Sequence, residues 1–328
     1  MANTRAWGGL PSIAPMLATL GQLPPDDLDR RYGYEVKWDG VRAVAYLAEG
    51  QCHLVSRNDH DITVAYPELD PPAHLTKGKL ILDGEIVAFD EHGKPSFAAL
   101  QPRMHLRDPA RIARRREANP VAYIVFDVMH RDGRDLTGLT YKDRREVLKG
   151  LNVASAPAWR TSDYRVGGGA ELYRATKESG LEGIIAKRLD SPYLAGRRSP
   201  DWIKIKHVRT QEVVIGGWTE GEGRRQGGVG ALLLGIPGEK GLDFVGHVGT
   251  GFTEDSLADL GKRLAKLKTD SSPFAKRLPA PTARAAHWVR PKLVGEVVYA
   301  ERTRDGLLRT PAWRGLRPDK EPRDVRPE

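Results

Sequence analysis

Runs of branched apolar residues, separated by polar and turn-forming segments, make up the first two thirds of the chain. Residues 34–47, 79–90 and 121–130 are rich in Val, Ile and Leu, and each run predicts a β-strand. Two shorter runs, "EGIIAKR" and "WIKIK", predict further strands. This part of the chain is therefore predicted to have a strand-rich core.

Three polar segments between these runs are typical of helices. Residues 108–120 predict a short basic helix that ends at Pro120, residues 137–151 predict a second helix, and residues 168–183 predict a third that is closed by Gly180. Strands and helices that are mixed in this way predict an α+β fold.

The last third of the chain has a different pattern. Short β runs punctuated by glycine ("EVVIGGW", "GALLLGI", "FVGHVGTGF", "LVGEVVYAERT") surround one helix-like segment, residues 253–268, in which Thr253 and Asp255 resemble an N-terminal cap. About five short strands and one helix predict a small Greek-key barrel of the OB type. The change of pattern at 207–211 predicts two domains, 1–206 and 207–328.

Composition narrows the classes of function. The chain has 328 residues, 40% of them hydrophobic, and a net charge of +9, which favours a polyanionic partner. The single cysteine, Cys52, excludes a disulfide framework and a thiolate metal site. The chain contains neither a signal-peptide core nor an apolar run of about 20 residues. We therefore expect a cytoplasmic protein without a membrane anchor.

The segment "YEVKWDGVRA" (34–43) contains the first candidate for chemistry. Lys37 is either an ordinary lysine on a half-exposed strand or a reactive amine. Asp39 lies two residues on, Gly40 allows a close backbone approach, and Arg42 supplies a planar cation suited to phosphate. Neighbouring cations, a metal ion or burial would lower the pKa of Lys37 and make its amine nucleophilic.

Other candidates lie at intervals along the chain. Glu85 follows a turn-like Asp83-Gly84 pair in an apolar strand, and Phe126 stands in another strand, where it is either core or a stacking surface. Lys204 and Lys206 are two apart, so they share one face of a strand and repel each other unless an anion lies between them. The remaining candidates are Arg57, Glu182, Lys187, Arg317 and Lys320.

Taken together and in this order, these segments resemble the covalent nucleotidyltransferases, and specifically the ATP-dependent DNA ligases. The resemblance runs from "PMLA" (15–18) to "RPDK" (317–320), through "KWDGVR", "LDGEIV", "FD", "EGIIAKR" and "WIKIK". The spacing is most similar to the bacterial end-joining type, the ligase module of ligase D or its stand-alone relatives. The resemblance implies a nucleotidyltransferase (adenylation) domain with antiparallel sheets and flanking helices, followed by a C-terminal OB-fold β-barrel.

The family reaction assigns a role to each candidate. Lysine attacks the α-phosphorus of ATP, the adenylate passes to a 5′-phosphate of DNA, and a 3′-hydroxyl then seals the strand. The resemblance makes Lys37 the nucleophile and places Mg²⁺ or Mn²⁺ at Asp39 and Glu182. The implied nucleotide contacts are the backbone near Glu35 at the adenine edge, Glu85 at the ribose, Phe126 at the adenine face, Arg42, Arg57 and Arg198 at the nucleotide, Lys187, Lys204 and Lys206 at the phosphates, and Arg317 and Lys320 at the pyrophosphate.

The resemblance also implies partners. Duplex DNA with nicks or ends is the expected substrate of a monomer associated with the nucleoid, and a Ku-like end-binding protein or separate polymerase and nuclease modules are further expected partners. The initial methionine favours a native stand-alone chain. The basic stretch "RMHLRDPARIARRR" (103–116) either lines the duplex or is a solvated helix face.

Two alternatives to a DNA ligase stay open at this point. An mRNA-capping or RNA-ligase type nucleotidyltransferase shares the K-x-D-G chemistry, although "EGIIAKR", "SRN" and the W-x-KIK spacing favour a DNA ligase. A non-catalytic OB-type DNA-binding protein is the second alternative, and the full set of candidate catalytic groups argues against it.

Overall fold

A computed structural model of the chain describes residues 7–221, 223–303 and 305–328. The chain divides into two units, Met1–His207 and Val208–Glu328. Each unit has its own hydrophobic core, and the sheets of one unit do not continue into the other among the described residues.

The first unit contains two sheets and four α-helices among its described residues. Its strands are β1 (Leu17–Leu20), β2 (Tyr32–Val36), β3 (Val41–Ala48), β4 (Gln51–Ser56), β5 (Leu80–Ala88), β6 (Val121–Arg131), β7 (Arg134–Asp135), β8 (Trp159–Thr161), β9 (Tyr164–Val166), β10 (Gly183–Arg188) and β11 (Arg198–Lys206). Its helices are α1 (Phe97–Leu100), α2 (Pro109–Ala118), α3 (Tyr141–Lys149) and α4 (Gly169–Glu178).

Most strand pairs in these sheets are antiparallel. The first sheet has the order β1-β11-β10-β2-β9, and the second has the order β4-β3-β5-β6-β7 with β8 also paired to β6. Only β1 with β11 and β6 with β8 run parallel among the strands described here. Mixed sheets with few helices confirm the predicted α+β class.

The alternation of side chains along β3 explains how the second sheet is covered on both faces. Ala43, Ala45 and Leu47 enter the core on the face away from the first sheet, whereas Val44 and Tyr46 enter the core that also contains Trp202 of β11. The two sheets therefore pack face to face. On its other face, the first sheet is covered by α4.

The predicted helices are confirmed, and two details of the predicted strands are wrong. The run at 34–47 is not one strand but β2 and β3, which are separated at residues 37–40. A Cβ atom on Gly40 would lie 2.1 Å from the carbonyl oxygen of Ile86, so this break requires glycine. The expected turn at Asp83-Gly84 is continuous strand within β5, because Gly84 leaves room for the ring of Tyr123.

The second unit is an OB fold, as predicted. Its elements are β12 (Arg209–Glu220), β13 (Val229–Gly238), β14 (Gly241–Val248), α5 (Glu254–Ala265), α6 (Ala280–Ala285), β15 (Ala286–Trp288), β16 (Val294–Tyr299), β17 (Glu301–Arg302), β18 (Leu308–Arg309) and β19 (Ala312–Leu316). The main sheet has the order β14-β13-β12-β16-β19. Thr253 caps α5 in a capping box with Ser256, which confirms the predicted cap.

Membrane insertion by a helix finds no support in the fold. Among the helices in the described residues, none combines the length and the apolar character that crossing a membrane requires.

Candidate active site

Lys37 lies directly after β2, where the chain leaves the first sheet. Its backbone N–H donates to the carbonyl oxygen of Gly183 at 2.9 Å, which fixes the start of the break between β2 and β3. Its Nζ atom lies 2.5 Å from Oε2 of Glu182, the residue before β10. The pairing of β2 with β10 thus joins two predicted site residues that are 145 positions apart in sequence.

The charges around Lys37 keep its amine protonated. Burial lowers the pKa of Lys37, but Glu182 and then Asp39 outweigh burial and raise the pKa above that of an ordinary lysine, with a smaller contribution from Glu85. The Lys37 side chain is 20% exposed, so it is not completely enclosed by the core. The structure therefore brings Lys37, Asp39, Glu85 and Glu182 into one electrostatic neighbourhood.

The carboxylates beside Lys37 fit a hard divalent cation. Glu182 is 6% exposed, and its Oε1 atom lies 3.5 Å from Nζ of Lys206. This carboxylate therefore forms ion pairs with both Lys37 and Lys206. Among the described residues, no group of three or more His, Cys, Asp or Glu forms a metal cage by itself. Mg²⁺ typically needs only one or two protein carboxylates and takes its other oxygens from phosphate and water.

Glu35 forms a buried network on the neighbouring part of β2 and β10. Its Oε1 atom accepts from Nζ of Lys187 at 2.7 Å and from the hydroxyl of Tyr141, and both Glu35 and Lys187 are 2% exposed. Burial lowers the pKa of Lys187, although Glu35 opposes that shift. The predicted phosphate contact Lys187 thus has a carboxylate partner in this structure.

The ring of Phe126 makes cation–π contacts with two basic side chains. Its ring lies 4.5 Å from the guanidinium carbon of Arg42 and 4.4 Å from Nζ of Lys187, and it meets Trp202 edge-to-face. Arg42 donates from Nε and Nη2 to Asp83 at 2.5 Å each, and Asp83 is fully buried. Arg42 is therefore held in place by Asp83 and stacks on Phe126.

The other predicted residues of this unit lie on the same sheets or at their edges. Glu85 is in register with Arg42 across β3 and β5. Lys204 lies on β11, two positions before Lys206, and is in register with Ile185 of β10. Arg57 lies half-buried in the turn after β4, and Arg198 at the start of β11 is exposed and donates to the carbonyl oxygen of Ala18 at 2.5 Å.

Arg317 and Lys320 lie in the second unit, after β19. Arg317 donates to both oxygens of Asp319, at 2.9 and 2.7 Å, and lies 3.3 Å from Glu296. Lys320 lies 3.0 Å from Glu212. These carboxylates hold the two cations in fixed positions within the unit, and burial of Asp319 is outweighed by Arg317, which lowers the pKa of Asp319.

The sequence reasoning missed the contribution of α3. Tyr141, Arg144, Arg145 and Leu148 are its buried residues, so two arginines occupy the face that packs on the sheet. Arg144 donates to both oxygens of Asp127 at 2.7 and 3.0 Å, with both side chains fully buried. These residues have the spacing i, i+3, i+4, i+7 of one helix face, but two of them are arginines, so the sequence shows no apolar stripe there.

Known proteins similar to this chain are DNA ligases. A family model described as "ATP dependent DNA ligase domain" matches residues 15–206, and one described as "ATP dependent DNA ligase C terminal region" matches residues 225–320. The multifunctional non-homologous end joining protein LigD of Mycolicibacterium smegmatis is 47% identical over 314 residues, which is 95% of this chain but 39% of that protein. The LigD protein of Pseudomonas aeruginosa is 39% identical and is covered to 36%.

A solved structure of mycobacterial DNA ligase D complexed with ATP and MES is similar over almost its whole length. The TM-score is 0.68 at 43% sequence identity, and the match covers 96% of this chain and 98% of that one. The chain thus spans less than half the length of the LigD relatives it matches but nearly all of this solved structure. Because the first family model alone matches more than half of the chain, this protein belongs to the family of ATP-dependent DNA ligases.

Proposed function

We propose that the chain seals breaks between a 5′-phosphate and a 3′-hydroxyl in duplex DNA, through a covalent AMP on Lys37. The observation that carries this proposal is the position of the Lys37 amine, which lies 2.5 Å from Glu182 and is also influenced by the charges of Asp39 and Glu85. A lysine that only stabilised the fold would not need three carboxylates at the end of a strand.

The first step of the proposed reaction is an attack by Lys37 on the α-phosphorus of ATP. The ammonium of Lys37 gives up a proton to water, a nitrogen–phosphorus bond forms, and the bond from the α-phosphorus to the pyrophosphate oxygen breaks with release of pyrophosphate. The adenylate then passes to the DNA 5′-phosphate, which restores the free lysine. Attack by the 3′-hydroxyl forms the phosphodiester bond and releases AMP. Glu182 orients the amine, because its Oε2 atom accepts a hydrogen bond from Nζ of Lys37.

We propose that Asp39 and Glu182 hold Mg²⁺ or Mn²⁺. When bound, such an ion supplies positive charge that favours a neutral amine on Lys37 and neutralises the phosphate. The fit rests on the carboxylate oxygens beside Lys37, since hard oxygen donors are the ligands that these ions prefer.

The nucleotide contacts are proposed for residues that lie on β2, β3, β5, β6, β10 and β11 and, for Arg57, in the turn after β4. Glu35 and Phe126 would border the adenine, and Glu85 would meet the ribose. The proposed phosphate and nucleotide contacts are Arg42, Arg57, Lys187, Arg198, Lys204 and Lys206. The Lys206 ammonium beside Glu182 supports this assignment most directly, because it lies next to the proposed site of attack.

For the second unit we propose a role in the first step. Arg317 and Lys320 would contact the pyrophosphate, and the two domains would be 1–206 and 207–328. The fixed orientation of Arg317 by Asp319 and Glu296 supports this role, because a preorganised guanidinium binds phosphate oxygens at a smaller entropic cost.

The biological setting is inferred from the relatives. Because the matched LigD proteins are named for non-homologous end joining, we propose that this chain acts in the repair of DNA breaks at the nucleoid in the cytoplasm. We propose that it acts as a monomer, together with a Ku-like end-binding protein or separate polymerase and nuclease modules.

Labelling with nucleotides tests the proposal. In one reaction the protein is incubated with α-labelled ATP or GTP and Mg²⁺ and then denatured. In a parallel reaction the native protein is given unlabelled nicked duplex DNA together with the same nucleotide and Mg²⁺. We expect an acid-labile label from ATP only, and sealing of the nick. Labelling by GTP would indicate capping chemistry, and no labelling by either nucleotide would indicate a DNA-binding protein without catalysis.

A further inference from the structure

The helix α2 exposes nearly its whole surface to solvent. Of its ten residues, only Ile112 is buried. Arg111, Arg114 and Arg115 are exposed, and the spacing i, i+3, i+4 places them on one strip of the helix. A short helix with a single buried residue gains little from packing, so its sequence must be explained by something other than the core.

One arginine of the same basic stretch anchors this helix instead of facing solvent. Arg103 is fully buried, and its Nη1 atom donates to Glu68 at 2.6 Å and to the carbonyl oxygen of Asn119 at 2.8 Å. Asn119 is the C-cap of α2, while Asp108 caps the other end through the backbone N–H of Arg111. The C-terminal end of the exposed helix is therefore tied to the first unit, and its N-terminal end is capped locally.

The charges on α2 oppose its own stability. Like charges at i, i+3 and i, i+4 repel by about 0.2–0.5 kcal/mol per pair, and Arg111 lies in the first turn, where the helix dipole disfavours a cation. In the part of the chain that the structure describes, the side chains of Arg111, Arg114 and Arg115 make no ion pair or hydrogen bond.

Several exposed arginines elsewhere have acidic partners. Arg165 lies 2.9 Å from Glu171, Arg263 lies 2.7 Å from Asp259, and Arg309 lies 2.5 Å from Glu301. Unlike these three arginines, the arginines of the strip on α2 keep their guanidinium groups without carboxylate partners in the described residues.

We propose that Arg111, Arg114 and Arg115, called here the α2 strip, bind the phosphate backbone of duplex DNA. This inference rests on the proposed ligase function, which supplies the polyanion. The α2 strip spans about 6 Å at 1.5 Å rise per residue. That length corresponds to about two phosphates of one DNA strand, at 3.4 Å of axis for each. Contacts of this kind position the duplex and carry no sequence preference.

The test compares two triple variants that remove the same charge. The first is Arg111→Ala/Arg114→Ala/Arg115→Ala, in which alanine also favours helix formation. The second is Arg165→Ala/Arg263→Ala/Arg309→Ala, which removes arginines that already have acidic partners. For each full-length protein, the Kd for nicked duplex DNA is measured between 50 and 200 mM salt, next to the rate of self-adenylation.

We expect the α2 variant to bind DNA on the order of tenfold more weakly, with the slope of log K against log salt reduced by about 2 to 3. Its self-adenylation should match that of the unchanged protein, while the control variant should keep most of the slope. An unchanged slope in the α2 variant or an equal loss of slope in the control variant would overturn the proposal. If the unchanged protein takes up no AMP, the ligase function itself fails, whatever the slopes show.

Discussion

At the scale of the residue, the central relation is between Lys37 and the carboxylates around it. Glu182 and Asp39 raise the pKa of Lys37, which keeps the amine charged and unreactive. The same carboxylates are the proposed metal ligands. A divalent cation bound to these carboxylates would offset their negative charge and repel the ammonium of Lys37, which would lower the pKa of Lys37. The amine would then become nucleophilic only where metal and nucleotide are both present.

The pKa of Lys37 can be measured without turnover. Competitive labelling with an acylating reagent over a pH series should give Lys37 a pKa above that of an ordinary lysine, because Glu182 favours the ammonium. The ion pair therefore stabilises the fold below the unfolded pKa of about 10.4 and is lost as the pH rises through the folded value. Glu182→Gln should lower the measured pKa.

Addition of Mg²⁺ to the unchanged protein should also lower the pKa of Lys37, and it should do so less in Glu182→Gln. A pKa that is insensitive to both the substitution and the metal would contradict the proposed arrangement. Lys240, an exposed lysine of the second unit, serves as the internal reference for the labelling.

Tyr141 is expected to stabilise the buried Glu35. Tyr141→Phe keeps the ring and removes the hydroxyl that donates to Oε1 of Glu35, so a buried carboxylate loses a donor. The free energy of unfolding, measured by denaturant titration, should fall by about 1–2 kcal/mol. Tyr32→Phe is the matched control, since the Tyr32 hydroxyl makes no hydrogen bond in the described structure. Equal effects of the two substitutions would argue against a special role for Tyr141.

At the scale of the element, strand pairing assembles the site. Glu182 and Lys37 meet because β2 and β10 are antiparallel neighbours, and Lys206 joins them because β11 pairs with the other edge of β10. The break between β2 and β3 then turns residues 37–40 away from the first sheet. Close contact between Gly40 and β5 is the condition for that break.

Gly40→Ala should therefore damage the fold around the site. The added Cβ would lie 2.1 Å from the carbonyl oxygen of Ile86, a backbone atom that cannot move without disturbing β5. Overpacking of this kind costs about 1–3 kcal/mol, which thermal or denaturant unfolding would detect. Gly138→Ala is the control, because nothing lies within 4 Å of the position of its added Cβ. A Gly40 variant as stable as the control would show that the contact is not needed.

Local patterns predicted the elements but not their contacts. The strands β5 and β6 follow from apolar runs, and the helices α2 and α4 follow from polar segments with the stop signals Pro120 and Gly180. The break after β2 was missed because it depends on a distant carbonyl group, and Asp83 was placed in a turn because its partner Arg42 lies on another strand. Pairings of this range cannot be found from the local sequence.

The candidate site was predictable to the extent that its residues lie in short motifs. Lys37, Asp39, Glu85 and Glu182 lie in such motifs, and the structure brings their charges together. The residues on α3 were missed because a helix with arginines on its packed face looks amphipathic only when their buried partners, such as Asp127, are known.

At the scale of the whole molecule, the two units carry different parts of the proposed reaction. Met1–His207 contains the lysine and its carboxylates, and Val208–Glu328 contains Arg317 and Lys320. The first step would need groups from both units, whereas the last two steps use an adenylate that is already formed.

Arg317→Ala should separate these steps. Self-adenylation should fall by at least tenfold, because the cation proposed to contact the pyrophosphate is lost, while sealing of pre-adenylated nicked DNA should change little. Lys292→Ala, which removes an exposed cation from the same unit, is the control for net charge. Equal losses in both reactions would contradict the assignment of Arg317 to the first step.

The position of the covalent adenylate tests the account most directly. After incubation with ATP and Mg²⁺, the protein is digested at a pH that preserves nitrogen–phosphorus bonds, and its peptides are mapped by mass spectrometry. The account predicts one AMP on Lys37, none in Lys37→Arg, and loss of the AMP from Lys37 when nicked DNA is added. An adenylate on another residue, or an undiminished adenylate in Lys37→Arg, would contradict it.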